Sequence, residues 1–392
     1  MERLVSPSRA ASGALALFAL ILFLPACKSP LSPGDPLRGL TPEQRDRFER
    51  GRPTFERVFT PETGLGPLFN STACLTCHSD PASGGNGAIT ESHATALRSD
   101  GFCDPLAHLG GPVFQQQVTP ALRQALGIDR EPFPPETTAT ARRTTPDVFG
   151  FGLLDAVPES VILALADPND ANGDGISGRV NRFFDGRVGR FGRKGLVPTL
   201  AEFNEGAFQL EQGVTTPNVP DEGTVGGRPL PPGVDPVPDP ELDAESVALA
   251  DAFVRFLAPP APQQLGSAAR RGRAIFNQIG CARCHVPTLR TGDHEVKALA
   301  NREVAAYTDL LLHDMGPGLV DICLGLVATP SEFRTEPLMG LRLARRFLHD
   351  GRATAIEEAI QLHGGEAARS RDAFAALSTR DREALLAFLR SL

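Results

Sequence analysis

The sequence has 392 residues, enough for two or three ordinary domains, and its 41% hydrophobic and 22% charged content is that of a globular protein. The net charge is −8 and no run of Lys and Arg forms a stripe, which argues against nucleic acid as a partner. Pro (35) and Gly (39) are plentiful enough to point to long loops, Trp is absent, and Tyr307 is the one Tyr.

Taken in chain order, residues 1–27 read as a targeting segment. Arg3 and Arg9 give a basic start, and residues 14–24 are an apolar stretch too short to span a bilayer comfortably. The segment ends Leu24-Pro25-Ala26-Cys27, which resembles a bacterial lipoprotein signal cleaved before Cys27. Export to the periplasm follows, with a lipid on Cys27 as the membrane anchor; Lys28 after the Cys points to the outer membrane. A Pro/Ser/Gly tether occupies residues 28–40. Thr41-Pro42-Glu43 then opens a helix with Pro just inside its start, the beginning of an N-terminal domain over 41–212. Within it, residues 104–210 read as loop-rich with one clear helix at 159–166. Residues 213–240 hold eight Pro and five Gly and read as a linker or surface loop. The C-terminal domain, 241–392, has helix-like stretches at 241–257, 266–279, 354–363 and 379–391. In the last, Leu385, Leu386, Phe388 and Leu389 fall along a 3.6-residue period.

Two short motifs carry the chemistry. Cys74-Leu-Thr-Cys77-His78 and Cys281-Ala-Arg-Cys284-His285 both have the spacing C-x-x-C-H. Two thiols three positions apart at a helix start reach the two vinyl groups of one porphyrin, and the following His places an imidazole on its iron. Chance would supply about 0.003 such motifs in a chain of this composition. A zinc site could use four thiolates, but would leave the His after each pair unexplained. The expectation is two covalently bound haem c groups. Each motif follows a helix carrying Phe and is trailed by a Pro-containing loop, so the fold class expected is mainly α. It would hold two cytochrome-c-like domains with a long loop-rich insertion.

Seven Cys divide into Cys27, four in the motifs, and Cys103 and Cys323 left over. In an oxidising compartment the last two are candidates for one disulfide. Separately, Asp170-Ala-Asn172-Gly-Asp174-Gly175 sets oxygen side chains at alternate positions with Gly sixth, like the start of a Ca²⁺ loop. Asn181 stands at position twelve instead of the usual bidentate Glu, and an Asx-rich turn is the alternative.

Further segments carry a family resemblance: Gly84-Gly85 behind the first motif, Gly150-Phe-Gly-Leu-Leu-Asp155, Gly189-Arg-Phe-Gly192, Ala306-Tyr-Thr-Asp-Leu-Leu-Leu-His-Asp-Met-Gly316, Phe333-Arg-Thr335 and Leu348-His-Asp-Gly-Arg352. With the first motif they resemble the di-haem oxidoreductases related to bacterial di-haem cytochrome c peroxidases and the MauG group, some labelled thiol oxidoreductases. The resemblance covers nearly all of 41–392. It implies a peroxide-reactive N-terminal haem and a C-terminal haem that takes electrons from a small redox protein or a quinol-derived donor. In those relatives the sixth ligand of the C-terminal haem follows a His-Asp-Gly segment by fourteen residues; here that position is His363, with Met339 as rival. His285 and His363 would then make a bis-His haem of lower potential than a Met-ligated one. For the first iron, ligated by His78, the resemblance leaves open His93, an open site, or His313 or Met315. Glu211 stands where relatives place a distal acid, which would move a proton across a bound peroxide. One departure matters: Arg193 occupies a position where related chains commonly have Trp. With no Trp in the chain, Tyr307 is the one readily oxidised aromatic for an electron relay. The alternatives to a peroxidase are a non-enzymatic electron-transfer cytochrome and a di-haem oxygenase. Once haem is attached, no free Cys pair of redox spacing remains to support thiol chemistry.

Overall fold

Thr41 caps helix α1 (Pro42–Glu56). Its hydroxyl accepts from the Gln44 N–H at 3.2 Å, and the Gln44 side chain accepts from the Thr41 N–H at 3.0 Å, so two orphan donors are satisfied reciprocally. The computed structural model describes Met1 and residues 30–325 and 327–392; the rest of the targeting segment, Cys27 included, lies outside the described residues. Residues 31–392 form one compact unit. Among the described residues no helix is long and apolar enough to cross a membrane.

After α1 come the short helices α2 (Cys74–Cys77), α3 (Pro120–Leu126), α4 (Phe151–Asp155) and α5 (Glu159–Leu163), then the longer α6 (Leu200–Gln212), α7 (Ala244–Phe256) and α8 (Ser267–Gln278). The chain closes with α9 (Ile356–Gln361), α10 (Ala368–Ala375) and α11 (Thr379–Leu389). Helices dominate, but the segment 104–210 is more regular than expected. The helix foreseen at 159–166 stops at Leu163, and α3, α4 and α6 were not foreseen. Nor was the four-stranded antiparallel sheet. In it Thr90–Leu97 pairs with Ala139–Thr144 on one side and with Cys103–Asp104 and Val113–Phe114 on the other. Cys103 and Cys323 are disulfide-bonded, with their Cα atoms 5.9 Å apart. The bond ties the sheet's margin to a segment 220 residues on.

Two helix crossings are built alike. In the first, α1 lies against α7; a Cβ on Gly51 would sit 2.0 Å from the Leu249 carbonyl oxygen and 3.0 Å from Phe253 Cβ. In the second, α8 lies against α11; a Cβ on Gly272 would sit 1.9 Å from the Ala384 carbonyl oxygen and 2.8 Å from Phe388 Cβ. Only Gly lets the backbones approach this closely. The surroundings repeat as well. Arg50-Gly-Arg-Pro-Thr-Phe55 matches Arg271-Gly-Arg-Ala-Ile-Phe276, and Ala252-Phe-Val-Arg255 matches Ala387-Phe-Leu-Arg390. Arg50 bonds Glu245 at 3.1 Å and Arg271 bonds Asp381 at 2.6 Å. Phe55 and Phe253 pack with tilted rings, centroids 5.0 Å apart, and Phe276 and Phe388 edge to face at 5.4 Å. Phe253 and Phe388 are fully buried, and truncating either to Ala would cost about 3–5 kcal/mol. Helix α7, assigned from sequence to the C-terminal domain, thus packs on the first helix of the N-terminal one.

Candidate functional site

Each of these crossings backs one C-x-x-C-H motif. Helix α2 is a single turn, with the His78 N–H donating to the Cys74 carbonyl at 2.9 Å. The second motif makes the same turn, His285 N–H to Cys281 O at 3.0 Å. The Phe of the preceding helix reaches the motif's imidazole in both: Phe55 to His78 at 6.0 Å and Phe276 to His285 at 6.5 Å. The four motif cysteines do not gather into one metal-binding cluster among the described residues, which removes a zinc site of four thiolates. Burial pushes the free thiols of Cys74 and Cys281 up to about 12 and that of Cys77 to about 11, so none is poised for thiolate chemistry.

The histidine tautomers are set by the backbone. Nδ1 of His78 faces the Gly85 carbonyl at 3.2 Å, that of His285 the Tyr307 carbonyl at 3.0 Å, and that of His363 the Ala359 carbonyl at 2.7 Å. A carbonyl at Nδ1 fixes the proton there and leaves the lone pair on Nε2, the arrangement of a metal-ligating imidazole. Burial lowers all three pKa values, that of His285 to about 4 with help from the nearby His363, so the rings are neutral at pH 7. His285 and His363 line one cavity together with Cys281, Cys284 and the apolar Phe276, Phe347, Ile360 and Leu385. Its empty space, open mouth included, is about 1750 Å³. Two thiols, two neutral imidazoles and an apolar wall fit a haem. Met339 lines the same cavity.

At the first motif the structure gathers carboxyls. Glu211, near the end of α6, accepts from Asn70 Nδ2 at 3.2 Å, and its carbonyl accepts from the Asn70 and Ser71 N–H groups at 2.7 and 3.0 Å. Its carboxyl faces that of Glu91 in a hydrogen bond. Burial, and then the Glu91 charge, hold Glu211 well above the usual carboxylate range. Glu91 is also raised by burial, but its hydrogen bond to His93 Nε2 at 2.9 Å, the His93 charge and Arg143 outweigh this and keep it low. The pair therefore holds one proton, on Glu211. Both carboxyls lie within electrostatic reach of the Cys77 thiol, and Glu91 also of His78. Sequence reasoning missed Glu91. His93, on the strand Thr90–Leu97, has Nε2 engaged by Glu91, and its buried Nδ1 has no hydrogen-bond partner among the described residues.

His313 lies at the second motif. Asp309 bonds its Nε2 at 2.8 Å and Glu366 its Nδ1 at 2.7 Å. Burial works against the charged ring, yet Asp309, Cys284 and Glu366 push its pKa up to about 12, so it is a fixed cation with no nitrogen left for iron. Tyr307 packs its ring against Phe276 and Phe388 at centroid distances of 6.0 and 5.9 Å.

The Asp170 loop closes on itself. Gly175 N–H donates to Asp170, Asp174 N–H to Asn172 and Ile176 N–H to Asp174, at 3.1, 2.9 and 3.0 Å. Asp174 pairs with Arg283 of the second motif at 3.3 Å. The amide of Asn181 is engaged elsewhere, donating to the Lys194 carbonyl at 2.8 Å and accepting from the Arg182 N–H at 2.9 Å.

The model of a family described as "Di-haem oxidoreductase, putative peroxidase" matches residues 135–392, about two thirds of the chain, including the second motif, Glu211 and His363. No curated protein matches. Among solved structures, hydrazine synthase from Kuenenia stuttgartiensis aligns over 97% of this chain and 100% of its own at 15% identity, with a TM-score of 0.44. A MauG-like protein associated with microbial copper homeostasis aligns over 93% and 91% at 16% identity and 0.40. The diheme peroxidase BthA from Burkholderia thailandensis aligns over 93% and 89% at 16% and 0.42. At these TM-scores the likeness is loose, and it is the family match that decides. On that match, this chain belongs to the di-haem oxidoreductase family.

Proposed function

We propose that the protein is an exported c-type di-haem oxidoreductase of the peroxidase kind. Its first haem, on Cys74, Cys77 and His78, is the reactive one; its second, on Cys281, Cys284, His285 and His363, takes electrons in. The observation that carries the reading is the half-buried, hydrogen-bonded Glu91–Glu211 pair beside the first motif, a proton-holding group for which an electron carrier has no use. Bound haem would supply the iron and the electrons. Glu211 holds a proton on its carboxyl at neutral pH and gives it to the departing oxygen of a bound peroxide; Glu91 accepts a proton and passes it back. His93 orients Glu91 through its Nε2, and Asn70 orients Glu211.

The same reading covers the rest of the molecule. The repeated crossings support two cytochrome-c-like domains that meet between α7 and α8, so that the Pro/Gly-rich 213–240 segment belongs to the first. Tyr307, whose carbonyl meets His285 Nδ1, is the oxidisable aromatic proposed for an electron relay. Asp170, Asn172 and Asp174 are proposed as a Ca²⁺ loop, weakened by the engagement of Asn181. A lipid on Cys27 would hold the protein at the outer membrane, facing a small redox protein or quinol-derived donor in the periplasm.

The test is an EPR spectrum of the oxidised, haem-loaded protein before and after one equivalent of peroxide. A high-spin ferric signal that peroxide removes is expected. Two low-spin signals indifferent to peroxide, even after half-reduction, would make the protein an electron carrier.

A further inference from the structure

One stretch of the cavity wall belongs to both motifs. On one side, Thr145 touches Cys77 and the Pro146 backbone touches His78, while Thr145, Pro146 and Asp147 also line the cavity of His285 and His363. On the other, Glu336 lies within electrostatic reach of His285. Arg193 and Arg334 join these sides. Arg193 donates to the Thr144 carbonyl at 3.1 Å and hydroxyl at 3.2 Å, and pairs with Glu336 Oε2 at 3.0 Å. Arg334 reaches the same oxygen at 2.7 Å, and donates to the Gly192 carbonyl at 3.0 Å and the Thr335 carbonyl at 3.2 Å.

The two segments are pinned together. Arg334 N–H donates to the Arg193 carbonyl at 2.9 Å. The next residue, Lys194, is fully buried and donates to the carbonyls of Thr329, Pro330 and Glu332 at 3.1, 2.9 and 2.7 Å. The clamp fixes the backbones from which both guanidiniums reach Glu336.

The charges do not balance. Two guanidiniums, with side chains 14% and 5% exposed, share one carboxylate oxygen. Of the other acids, Asp309 and Glu366 are engaged by the His313 cation, and Asp147 is pushed up to about 7 by burial and by the Glu336 charge, so it supplies only part of a second negative charge. An excess of buried cation is costly unless an anion meets it, and the planar fork of Arg matches a carboxylate best. The carboxylates that a haem brings into this cavity are its propionates.

We propose that Arg193 and Arg334 bind haem propionates where the two haem sites meet, and that their charge raises the reduction potential of the second haem. Arg193 is thus an electrostatic bridge at the position where related chains carry an aromatic. The proposal rests on the di-haem reading given above. A cation beside a haem favours the reduced, less positive form, so removing it lowers the potential.

The experiment is a potentiometric titration of the full haem-loaded chain, followed optically, with haem per chain measured by pyridine haemochrome. Arg193→Gln should lower the midpoint potential of the second haem while two haems per chain are retained. Arg193→Lys, which keeps the charge but not the fork, should recover part of the shift. Arg334 is the more buried, and if Arg334→Gln fails to fold, the Arg193 pair of variants decides alone. Unchanged potentials in Arg193→Gln at full haem loading would overturn the proposal and leave the di-haem reading standing. Fewer than two haems per chain in the unmodified protein would overturn both.

Discussion

The bond between Cys103 and Cys323 gives the most quantitative prediction. Their separation of 220 residues makes the covalent loop one of more than half the chain. In the chain-entropy account, cross-linking a loop of this length removes about 18 cal/mol/K from the unfolded ensemble, or about 5 kcal/mol at 25 °C. Local packing adds to the case. Cys323 is buried and within 3.6 Å of the Thr95 hydroxyl, two residues from Asp321, which pairs with Lys194 at 3.0 Å and Arg143 at 3.2 Å. Cys103→Ser and Cys323→Ser should each lower unfolding free energy by about 2–5 kcal/mol, the range for native disulfides. The assay is guanidinium unfolding followed by far-UV circular dichroism, with and without dithiothreitol. Reductant should bring the unmodified protein onto the curve of the variants and leave the variants where they were. A loss below about 1 kcal/mol in both variants would refute the entropic reasoning. Two free thiols in the unreduced, denatured protein, beyond those expected of the motif cysteines, would refute the bond itself.

Other predictions follow from the site and the core. Glu211→Gln should slow the reaction of the first haem with peroxide by about 10²–10⁴-fold, the usual reach of a positioned acid, and leave the spectrum of the second unchanged; stopped-flow absorbance reads both. Glu131 is buried, and burial pushes its carboxyl up to about 8 despite a hydrogen bond from Gln115 N–H. Folded protein therefore binds a proton there that unfolded chain releases near pH 4.5, so its contribution is full below that pH and is lost as pH rises toward 8. Glu131→Gln should flatten that part of the stability–pH curve by a few kcal/mol at most; parallel melts at pH 5 and pH 8 that fall equally in both proteins would count against it. Gly272→Ala places a methyl 1.9 Å from the Ala384 carbonyl and should destabilise by about 1–3 kcal/mol, with the Arg271–Asp381 end of the crossing moving apart.

What the sequence made legible was local. C-x-x-C-H is a contiguous pattern, and its spacing states its chemistry. The capped start of α1 and the 3.6-residue period of α11 are likewise written in neighbouring residues. The strand Thr90–Leu97 was not legible, because Thr-Glu-Ser-His-Ala-Thr-Ala-Leu has no alternation of polar and apolar residues, and four successive residues in it are buried. Glu91 was invisible for a related reason. Its meaning comes from Glu211, on a helix far along the chain, where burial and a second carboxyl act together to hold a proton. Arg193 was noticed as a departure from the family pattern, but its two partners, Thr144 and Glu336, come from segments that only folding brings together. The packing of α7 on α1 was hidden by the Pro/Gly-rich stretch before α7, which reads as a boundary.

The twin crossings also differ in a way that bears on how the protein is made. The Arg50–Glu245 contact spans 195 residues and the Arg271–Asp381 contact spans 110. In equilibrium terms the longer loop costs only about 0.5 kcal/mol more to close. In time the difference is larger, since a ribosome adding about 5–20 residues per second leaves α1 without its partner helix for about 10–40 s. Throughout that interval the Gly51 face of α1 is uncovered and the Cys74–Cys77 turn lacks the α7 half of its backing. The first half must therefore stay open during synthesis, as a chain threading a membrane has to, and its thiols remain accessible longer than those of the half made last.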